Sequence, residues 1–242
     1  MTMQWSGATE PRESRPLARC LIDLADTPDD AAGVRAQLVT VALLVADRVE
    51  AADYASVTTL DGDGYATVAA SSELARAVDD AQYSSDAGPC LDSVDTGTPV
   101  AVPDIRNAIR WPGFREQAIA MGLRASLSIP LFAGSGATLA ALNLYGRDHT
   151  SMGVLIDAVL TVFDDRSGDE PLPAALDDGG RELVAGLVEA HTIRATIQRA
   201  IGVTMGRENC TAEQAYRRLQ ASAAAAGVTL RETATGLLAE RR

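Results

Sequence analysis

The residue types best suited to bind a ligand are concentrated near the carboxyl end of the chain, in the stretch RATIQRAIGVTMGRENCTAEQAYRRL, residues 194–219. Arginine can hold a phosphate through two parallel hydrogen bonds, and an exposed tyrosine ring can stack on an unpaired base. Arginines interleaved with a tyrosine therefore indicate an RNA-binding surface. The candidates for this surface are Arg194, Arg207, Tyr216, Arg217, Arg218 and Arg231.

A less specific interpretation of the same arginines stays open. Glu208, Glu213 and Glu232 lie near them along the predicted helices, and ion pairs with these residues would only make the helical surface soluble. Arg207 also stands at the end of a predicted helix, where the partial negative charge of the helix end favours a cation. The spacing of the arginines fits both interpretations.

The distribution of charge divides the chain into two parts. The 242 residues carry 33 acidic and 21 basic side chains, and every basic one is an arginine. Residues 1–180 hold 12 arginines against 27 acidic residues, whereas residues 181–242 hold 9 arginines against 6. Such an asymmetry predicts two functions, of which nucleic-acid contact is one.

The sequence gives little support to catalytic, metal or cofactor chemistry. Cys20, Cys90 and Cys210 are far apart, which fits neither a disulfide framework nor a zinc site, and the histidines His149 and His191 are isolated. The chain contains no Walker loop, Rossmann fingerprint or HExxH sequence. We therefore predict a protein that is not an enzyme and that has no cofactor and no metal site.

Cys90 carries the one chemical alternative that we considered. It lies in AGPCLDS at the start of a predicted helix, where the helix dipole can lower the pKa of a thiol and support redox chemistry. Packing as a small buried side chain is the favoured role, because no second cysteine lies nearby in the sequence to form a disulfide.

Signals of export and membrane insertion are missing from the sequence. The amino terminus has no apolar stretch typical of a signal peptide, and nowhere do about 18 apolar residues follow one another. These absences predict a cytoplasmic protein without membrane contact.

An α+β domain is predicted to occupy most of the chain. Residues 1–18 are predicted to be a disordered lead-in, and residues 19–164 show helices, a hairpin around DGDG, further helices and a second hairpin around AGSG. That order predicts an antiparallel sheet flanked by helices. Asp, Gly and Pro are concentrated in residues 165–180, which are predicted to be a linker or an inserted loop.

The final part, residues 181–242, is predicted to be a small unit of three helices. Thr211 and Thr229 each begin a capping box and so start the second and the third helix, and Gly227 ends the second. An apolar stripe at helical spacing marks the inner face of the first helix and comprises Leu183, Leu187, Ala190, Ile193, Ile197 and Ile201.

The stretch RATIQRAIGVTMGRENCTAEQAYRRLQASAAAAGVTLRETA resembles the ANTAR domain, a three-helix RNA-binding module of bacterial transcription antiterminators. Upstream, GPCLDSVDTGTPVAVPDI, RWPGF, LSIPLF and ALNLYGR resemble the GAF domain that precedes ANTAR in many actinobacterial regulators. The features shared with ANTAR are Arg194, Ile197, Ala200-Ile201-Gly202 with Met205, Arg207, Ala215-Tyr216, Leu219, Leu230-Arg231 and Ala234.

The resemblance implies both a mechanism and its partners. A GAF sensor domain receives a signal, two ANTAR domains pair, and the homodimer holds a tandem RNA hairpin that prevents a terminator from forming. An unknown small molecule is the candidate ligand of the GAF domain. By the same resemblance, the RNA contacts are Arg194, Arg207, Tyr216 and Arg231.

Other positions that match the family fit RNA binding less well. Ala200, Gly202, Met205 and Ala215 are small or apolar, which suits packing better than RNA contact. Ile201 stands where the family often has lysine.

Three further departures lie between the second and third helices, where the family favours Ser, Asn and Lys and this chain has Ala223, Gly227 and Thr229. With each lost phosphate contact, affinity falls and its salt dependence flattens. An alternative function therefore stays open, a sensory and dimerisation module whose helical tail contacts only protein.

Overall fold

The computed structural model describes residues 16–61, 64–164 and 172–240. Its helices are α1 (Leu17–Ala25), α2 (Val34–Arg48), α3 (Glu73–Ser84), α4 (Pro89–Thr96), α5 (Pro112–Ala120), α6 (His149–Phe163), α7 (Asp178–Glu208), α8 (Ala212–Ala226) and α9 (Leu230–Ala239). Its strands are β1 (Tyr54–Asp61), β2 (Gly64–Ala70), β3 (Val100–Val102), β4 (Ala125–Phe132) and β5 (Thr138–Gly146). An α+β region thus precedes an all-helical one, as predicted.

The strands form an antiparallel sheet in the order β2-β1-β5-β4-β3. The second predicted hairpin is confirmed, because β4 and β5 pair across the turn of residues 133–137, with Ile129 opposite Leu142. β1 and β2 also pair, although residues 62 and 63 of the predicted DGDG turn lie outside the described part of the chain. The β4–β5 turn reaches the helical region, where its carbonyls accept hydrogen bonds from α7.

The two faces of the sheet differ in chemistry. Successive side chains of a strand point to opposite faces. On β5, Leu142 and Leu144 lie in the apolar core with α1, α2, α6 and the start of α7. Asn143 and Tyr145 lie on the other face, where both make hydrogen bonds to α3. One face is therefore apolar, and the other carries polar groups beneath α3, α4 and α5.

The long helix α7 belongs to both regions of the molecule. Its early residues Leu183 and Leu187 pack in the core of the sheet, and its later residues Ile193 and Ile201 pack with α8 and α9. The predicted apolar stripe is confirmed, since all of its members are buried except Ala190, which is half-buried. A single helix therefore connects the two cores.

Helix α1 lies along α7 and also reaches both cores. Leu21 and Leu24 pack in the core of the sheet, whereas Ala25 packs with the helical bundle. The helices can approach closely because α7 has Gly186 at the contact, where a Cβ atom would lie 2.8 Å from the Cα of Ala18. The sequence did not assign α1 to the bundle.

The predicted signals at helix ends are confirmed. Thr211 and Thr229 accept hydrogen bonds from the third residue of α8 and of α9, and each completes a capping box. Gly227 ends α8 with φ of 68°, in the left-handed region that favours glycine. These short-range interactions fix where the helices of the bundle begin and end.

Both predicted boundary segments lie partly outside the described residues. The described part begins at residue 16, and α1 begins at Leu17, so residues 17 and 18 of the predicted lead-in are helical and not disordered. In the predicted linker, the description resumes at residue 172, and α7 begins at Asp178. Among the helices described, none is both long and apolar enough to cross a membrane.

Candidate nucleic-acid interface

The candidate residues on the outer surface of the bundle are Arg207, Arg217 and Arg218. Arg207 lies in the last turn of α7 and is exposed, and its side chain makes no hydrogen bond or ion pair within residues 16–61, 64–164 and 172–240. The helix ends just beyond it at Asn209, which adopts the left-handed conformation with φ of 49°. Arg207 therefore presents its guanidinium to solvent.

Arg217 and Arg218 of α8 pair with acidic residues of the same bundle. Arg217 contacts Glu213 one turn earlier on α8, and Arg218 contacts Glu208 at the end of α7. All four side chains are largely exposed, so these ion pairs contribute little to stability and compete weakly with a phosphate. The interpretation of the arginines as partners of Glu208 and Glu213 is thus confirmed for this pair of helices, whereas Glu232 caps α9.

Arg194, Tyr216 and Arg231 form a second group, here called the docked residues, because each contacts either the β4–β5 turn or the segment between α1 and α2. The Nε of Arg194 donates a 2.9 Å hydrogen bond to the carbonyl of Gly136 in the β4–β5 turn. Its guanidinium also lies over the ring of Phe132, with Cζ 3.7 Å from the ring centroid. The side chain is half-buried, and this burial lowers the pKa of its guanidinium.

Tyr216 points its hydroxyl toward the segment between α1 and α2. The backbone N–H of Asp29 donates to that hydroxyl at 3.3 Å, and the ring packs at the margin of the bundle core. Burial is the main cause that raises the pKa of Tyr216 to about 12. The ring is half-buried, so its faces are less available for stacking on a base than those of an exposed tyrosine.

Arg231 contacts the same segment from the start of α9. Its backbone N–H donates a 2.8 Å hydrogen bond to the Oδ1 of Asp26, and its guanidinium pairs with Glu189 of α7 at 3.2 Å. The structure therefore separates the six candidates into three outer arginines and three docked residues.

Of the four family positions predicted to serve packing, two are buried and two are exposed. Ala200 and Ala215 are fully buried in the bundle core, so the packing interpretation is confirmed for them. It is wrong for Gly202 and Met205, which are exposed. Both lie on the outer side of α7, because the apolar stripe turns the opposite side of the helix toward α8 and α9. Ile201, the position of the family's lysine, is buried.

A row of polar side chains, not predicted from the sequence, crosses the sheet beneath α3 and α4. Ser56 of β1 and Ser128 of β4 lie opposite Asn143 of β5 in adjacent pairs of strands. All three side chains are buried. Polar residues at every second position of YASVTTL and ASLSIPLF were the signal that could have found this row, since alternate residues share a face.

Asp79 of α3 reaches this row and is fully buried. Its carboxylate accepts hydrogen bonds from Tyr145 at 2.6 Å, Thr67 at 2.8 Å and Ser56 at 3.0 Å. Desolvation raises its pKa to about 6, and these three hydrogen bonds oppose the rise because they stabilise the charged form. The oxygens of Asn143 (Oδ1) and Ser128 (Oγ) have no hydrogen-bond partner among the described residues.

Cys90 lies next to this polar region and is buried. Its backbone N–H donates a 3.0 Å hydrogen bond to the Oε1 of Gln82, whose amide nitrogen in turn donates to the hydroxyl of Tyr145. Burial raises the pKa of the Cys90 thiol, which is the opposite of what a reactive thiolate requires. Across the described ranges, no group of three or more His, Cys, Asp or Glu side chains could hold a metal ion.

Two family models match the chain, one in each region. The family model of the GAF domain matches residues 35–154, and that of the ANTAR domain matches residues 185–238. No curated protein matches the chain. Among solved structures, the chain is similar to the crystal structure of a domain from Sinorhizobium meliloti 1021, described as belonging to a two-component sensor histidine kinase protein. The identity is 16%, the match covers 72% of this chain and 96% of that chain, and the TM-score is 0.39.

Proposed function

The chain is a GAF–ANTAR regulator, and we propose that it binds structured RNA in response to a signal and thereby controls transcription antitermination. ANTAR domains are RNA-binding antitermination modules, and GAF domains are sensors. In this proposal the RNA is a tandem hairpin, the active form is a homodimer, and the protein acts in the cytoplasm.

The observation that carries the proposal is the exposed arginine group at the junction of α7 and α8. The side chain of Arg207 is exposed and has no partner among the described residues, and those of Arg217 and Arg218 are held only by exposed ion pairs. Arg199, also exposed, hydrogen-bonds only within its own helix. Phosphate oxygens can displace such weak partners, because exposed ion pairs gain little free energy.

The polar row of the sheet supports a sensory role for the GAF domain. Buried polar atoms without partners are uncommon in folded proteins, and here Asn143 and Ser128 contribute two of them on the face of the sheet that α3 and α4 cover. We propose that the small-molecule ligand of the GAF domain binds near this row. Cys90 lies beside it as a packing residue.

RNA binding can be tested by measuring the affinity of the full chain for a synthetic RNA with two consecutive stem-loops, at several salt concentrations. Arg207→Ala is expected to weaken binding and to reduce the slope of log affinity against log salt by about 1, because one phosphate contact is lost. Arg124→Ala is the matched control, since Arg124 is an exposed arginine just before β4, at the opposite end of that strand from the β4–β5 turn. No binding by any of these proteins at low salt would contradict the proposal.

A second function is favoured by the contacts of the docked residues. Arg194 contacts the β4–β5 turn, and Tyr216 and Arg231 contact the segment between α1 and α2. Under this second function the helical tail serves only to hold protein surfaces together. Under this alternative the Arg207→Ala variant and the native chain would retain equal, non-specific amounts of RNA, with the same salt dependence.

A further inference from the structure

We propose that the structure is an autoinhibited state, in which the end of the GAF sheet and the segment between α1 and α2 cover part of the RNA-binding face of the ANTAR domain and must release it before RNA can bind. The covering elements are the acidic segment of residues 26–30 and the β4–β5 turn of residues 133–137, together called the docking loops. This inference rests on the proposed function, because it concerns the accessibility of the same surface.

The contacts of the docking loops fall on the residues that the ANTAR resemblance assigns to RNA. Arg194 donates to Gly136, Tyr216 accepts from Asp29, and Arg231 donates to Asp26. Two glutamines extend the contact on either side, since Gln198 donates to the carbonyl of Ser135 and Gln220 donates to the Oδ1 of Asp30 at 2.8 Å. Three of the four RNA contacts implied by the resemblance are therefore engaged within the chain, and Arg207 is the exception.

The chemistry of the acidic segment resembles that of a phosphate backbone. Asp26 and Asp30 present carboxylate oxygens to N–H groups of Arg231 and Gln220. Asp29 instead directs its carboxylate to the backbone N–H of Ser135, at 2.8 Å, and so joins the two docking loops to each other. Anionic oxygens from the protein thus lie where RNA would bring its own, and the two ligands would compete for the same donors.

The docking contact is too close to admit a nucleotide between the domains. A Cβ atom at Gly134 would lie 2.6 Å from both the Tyr216 hydroxyl and the Leu230 Cδ1, and 2.9 Å from the carbonyl oxygen of Thr27. Atoms at such distances cannot coexist without movement, so the loops and the bundle touch directly. RNA can reach Tyr216 only after the surfaces separate.

The contact is also suited to reversal and to control by the sensor. Its polar interactions lie at half-exposed side chains, where ion pairs and hydrogen bonds are individually weak. The β4–β5 turn joins the two strands that carry Ser128 and Asn143 of the polar row. A change in the packing of those strands would therefore be transmitted along them to the turn that holds Arg194.

The direct test is a substitution whose added methyl group forces the two surfaces apart and leaves every charge unchanged. In the full chain, Gly134→Ala is expected to increase affinity for a synthetic RNA with two consecutive stem-loops by about five-fold or more, because a larger fraction of molecules is open. Hydrogen exchange without RNA should be faster at the amides of Asp29 and Arg231, which are bonded across the contact. Gly153→Ala is the matched control, because a Cβ atom there meets nothing within 4 Å.

A second variant opens the contact by removing charges, so the test does not depend on whether Gly134→Ala folds normally. The pair Asp26→Ala and Asp30→Ala should give the same gain in affinity and the same faster exchange. Its control is the pair Glu116→Ala and Asp157→Ala, two exposed acids elsewhere, which removes the same charge and so reveals any general electrostatic gain.

The outcomes separate the two proposals. Faster exchange in both opened variants, with RNA affinity no greater than in their controls, would overturn the autoinhibited state while leaving RNA binding in place. Unchanged exchange in both would overturn it as well, since the contact would not exist in solution. No RNA binding by any variant would overturn the proposed function and this inference together.

Discussion

The guanidinium of Arg194 lies over the ring of Phe132, with Cζ 3.7 Å from the ring centroid. The arginine belongs to α7 and the ring to β4, so this cation–π pair joins the ANTAR domain to the end of the GAF sheet. Phe132 also meets His191 of α7 edge-on, with ring centroids 5.8 Å apart. A residue with the chemistry of an RNA contact is thus part of the interface between the two domains.

Replacing Arg194 with methionine is expected to lower the free energy of unfolding by about 1 kcal/mol, because the cation–π contact and the hydrogen bond to Gly136 are both lost. Arg199→Met is the control on the same helix, where the exposed arginine bonds only to its own helix and a change within about 0.5 kcal/mol is expected. Urea unfolding followed by circular dichroism measures both. Equal losses in the two variants would show that the Arg194 contact contributes nothing.

The buried carboxyl of Asp79 should make the stability of the GAF domain depend on pH. Its pKa is about 6 in the folded chain, raised mainly by desolvation from an ordinary value of 3.8. The folded state therefore holds this proton more tightly than the unfolded state. The resulting stabilisation is fully present below the ordinary pKa and is lost as pH rises through about 6. The titratable groups that interact with Asp79 are Tyr145, Tyr83, Cys90 and Asp80, none of which carries a positive charge.

We expect the native chain to lose about 1 kcal/mol more of its unfolding free energy between pH 5.5 and pH 7.5 than Asp79→Asn does, by linkage arithmetic. Asparagine carries no charge at either pH and can still accept a hydrogen bond from Tyr145. Urea unfolding at the two pH values measures the difference. Parallel pH profiles for the two proteins would mean that folding does not raise the pKa of Asp79.

The three cysteines should differ in reactivity toward iodoacetamide. Cys20 and Cys90 are buried, and burial raises the pKa of the Cys90 thiol, whereas Cys210 is half-exposed near the end of α7. Alkylation at pH 7.5 is therefore expected at Cys210 first, and at Cys90 only after a denaturant is added. Peptide mass spectrometry identifies the modified positions. Rapid modification of Cys90 in the native chain would instead support the thiol redox alternative.

Short-range signals in the sequence predicted the bundle well. The capping boxes at Thr211 and Thr229 involve residues three positions apart, and the stripe from Leu183 to Ile201 repeats within one helix, so both depend only on local spacing. The β4–β5 hairpin was predictable for the same reason. Each of these features is determined by neighbours along the chain.

Contacts between residues far apart in the sequence could not be predicted from local spacing. The hydrogen bond between Asp29 and Tyr216 joins residues 187 positions apart, and nothing in the sequence around either residue indicates the other. Arg194 has the same residue type whether it meets a phosphate or Phe132, so composition could not show that it is docked. The polar row was visible in principle, because Ser56 and Ser128 each lie among alternating residues of a strand.

The close approach of α1 and α7 at Gly186 leads to a last prediction. A Cβ atom at this position would lie 2.8 Å from the Cα of Ala18 and 2.8 Å from the Cδ1 of Leu21, so alanine would force the helices apart. We expect Gly186→Ala to lower the free energy of unfolding by about 1–3 kcal/mol, the usual cost of overpacking, although alanine favours helix formation.

The matched control for that prediction is Gly206→Ala, in the last turn of the same helix, where a Cβ atom meets nothing within 4 Å. This variant is expected to raise the free energy of unfolding by up to about 1 kcal/mol, because alanine loses less backbone entropy than glycine on entering a helix. Urea unfolding of both variants measures the contrast in sign. If both substitutions stabilised the chain equally, α1 would not lie against α7 at Gly186, and its role in joining the two cores would be wrong.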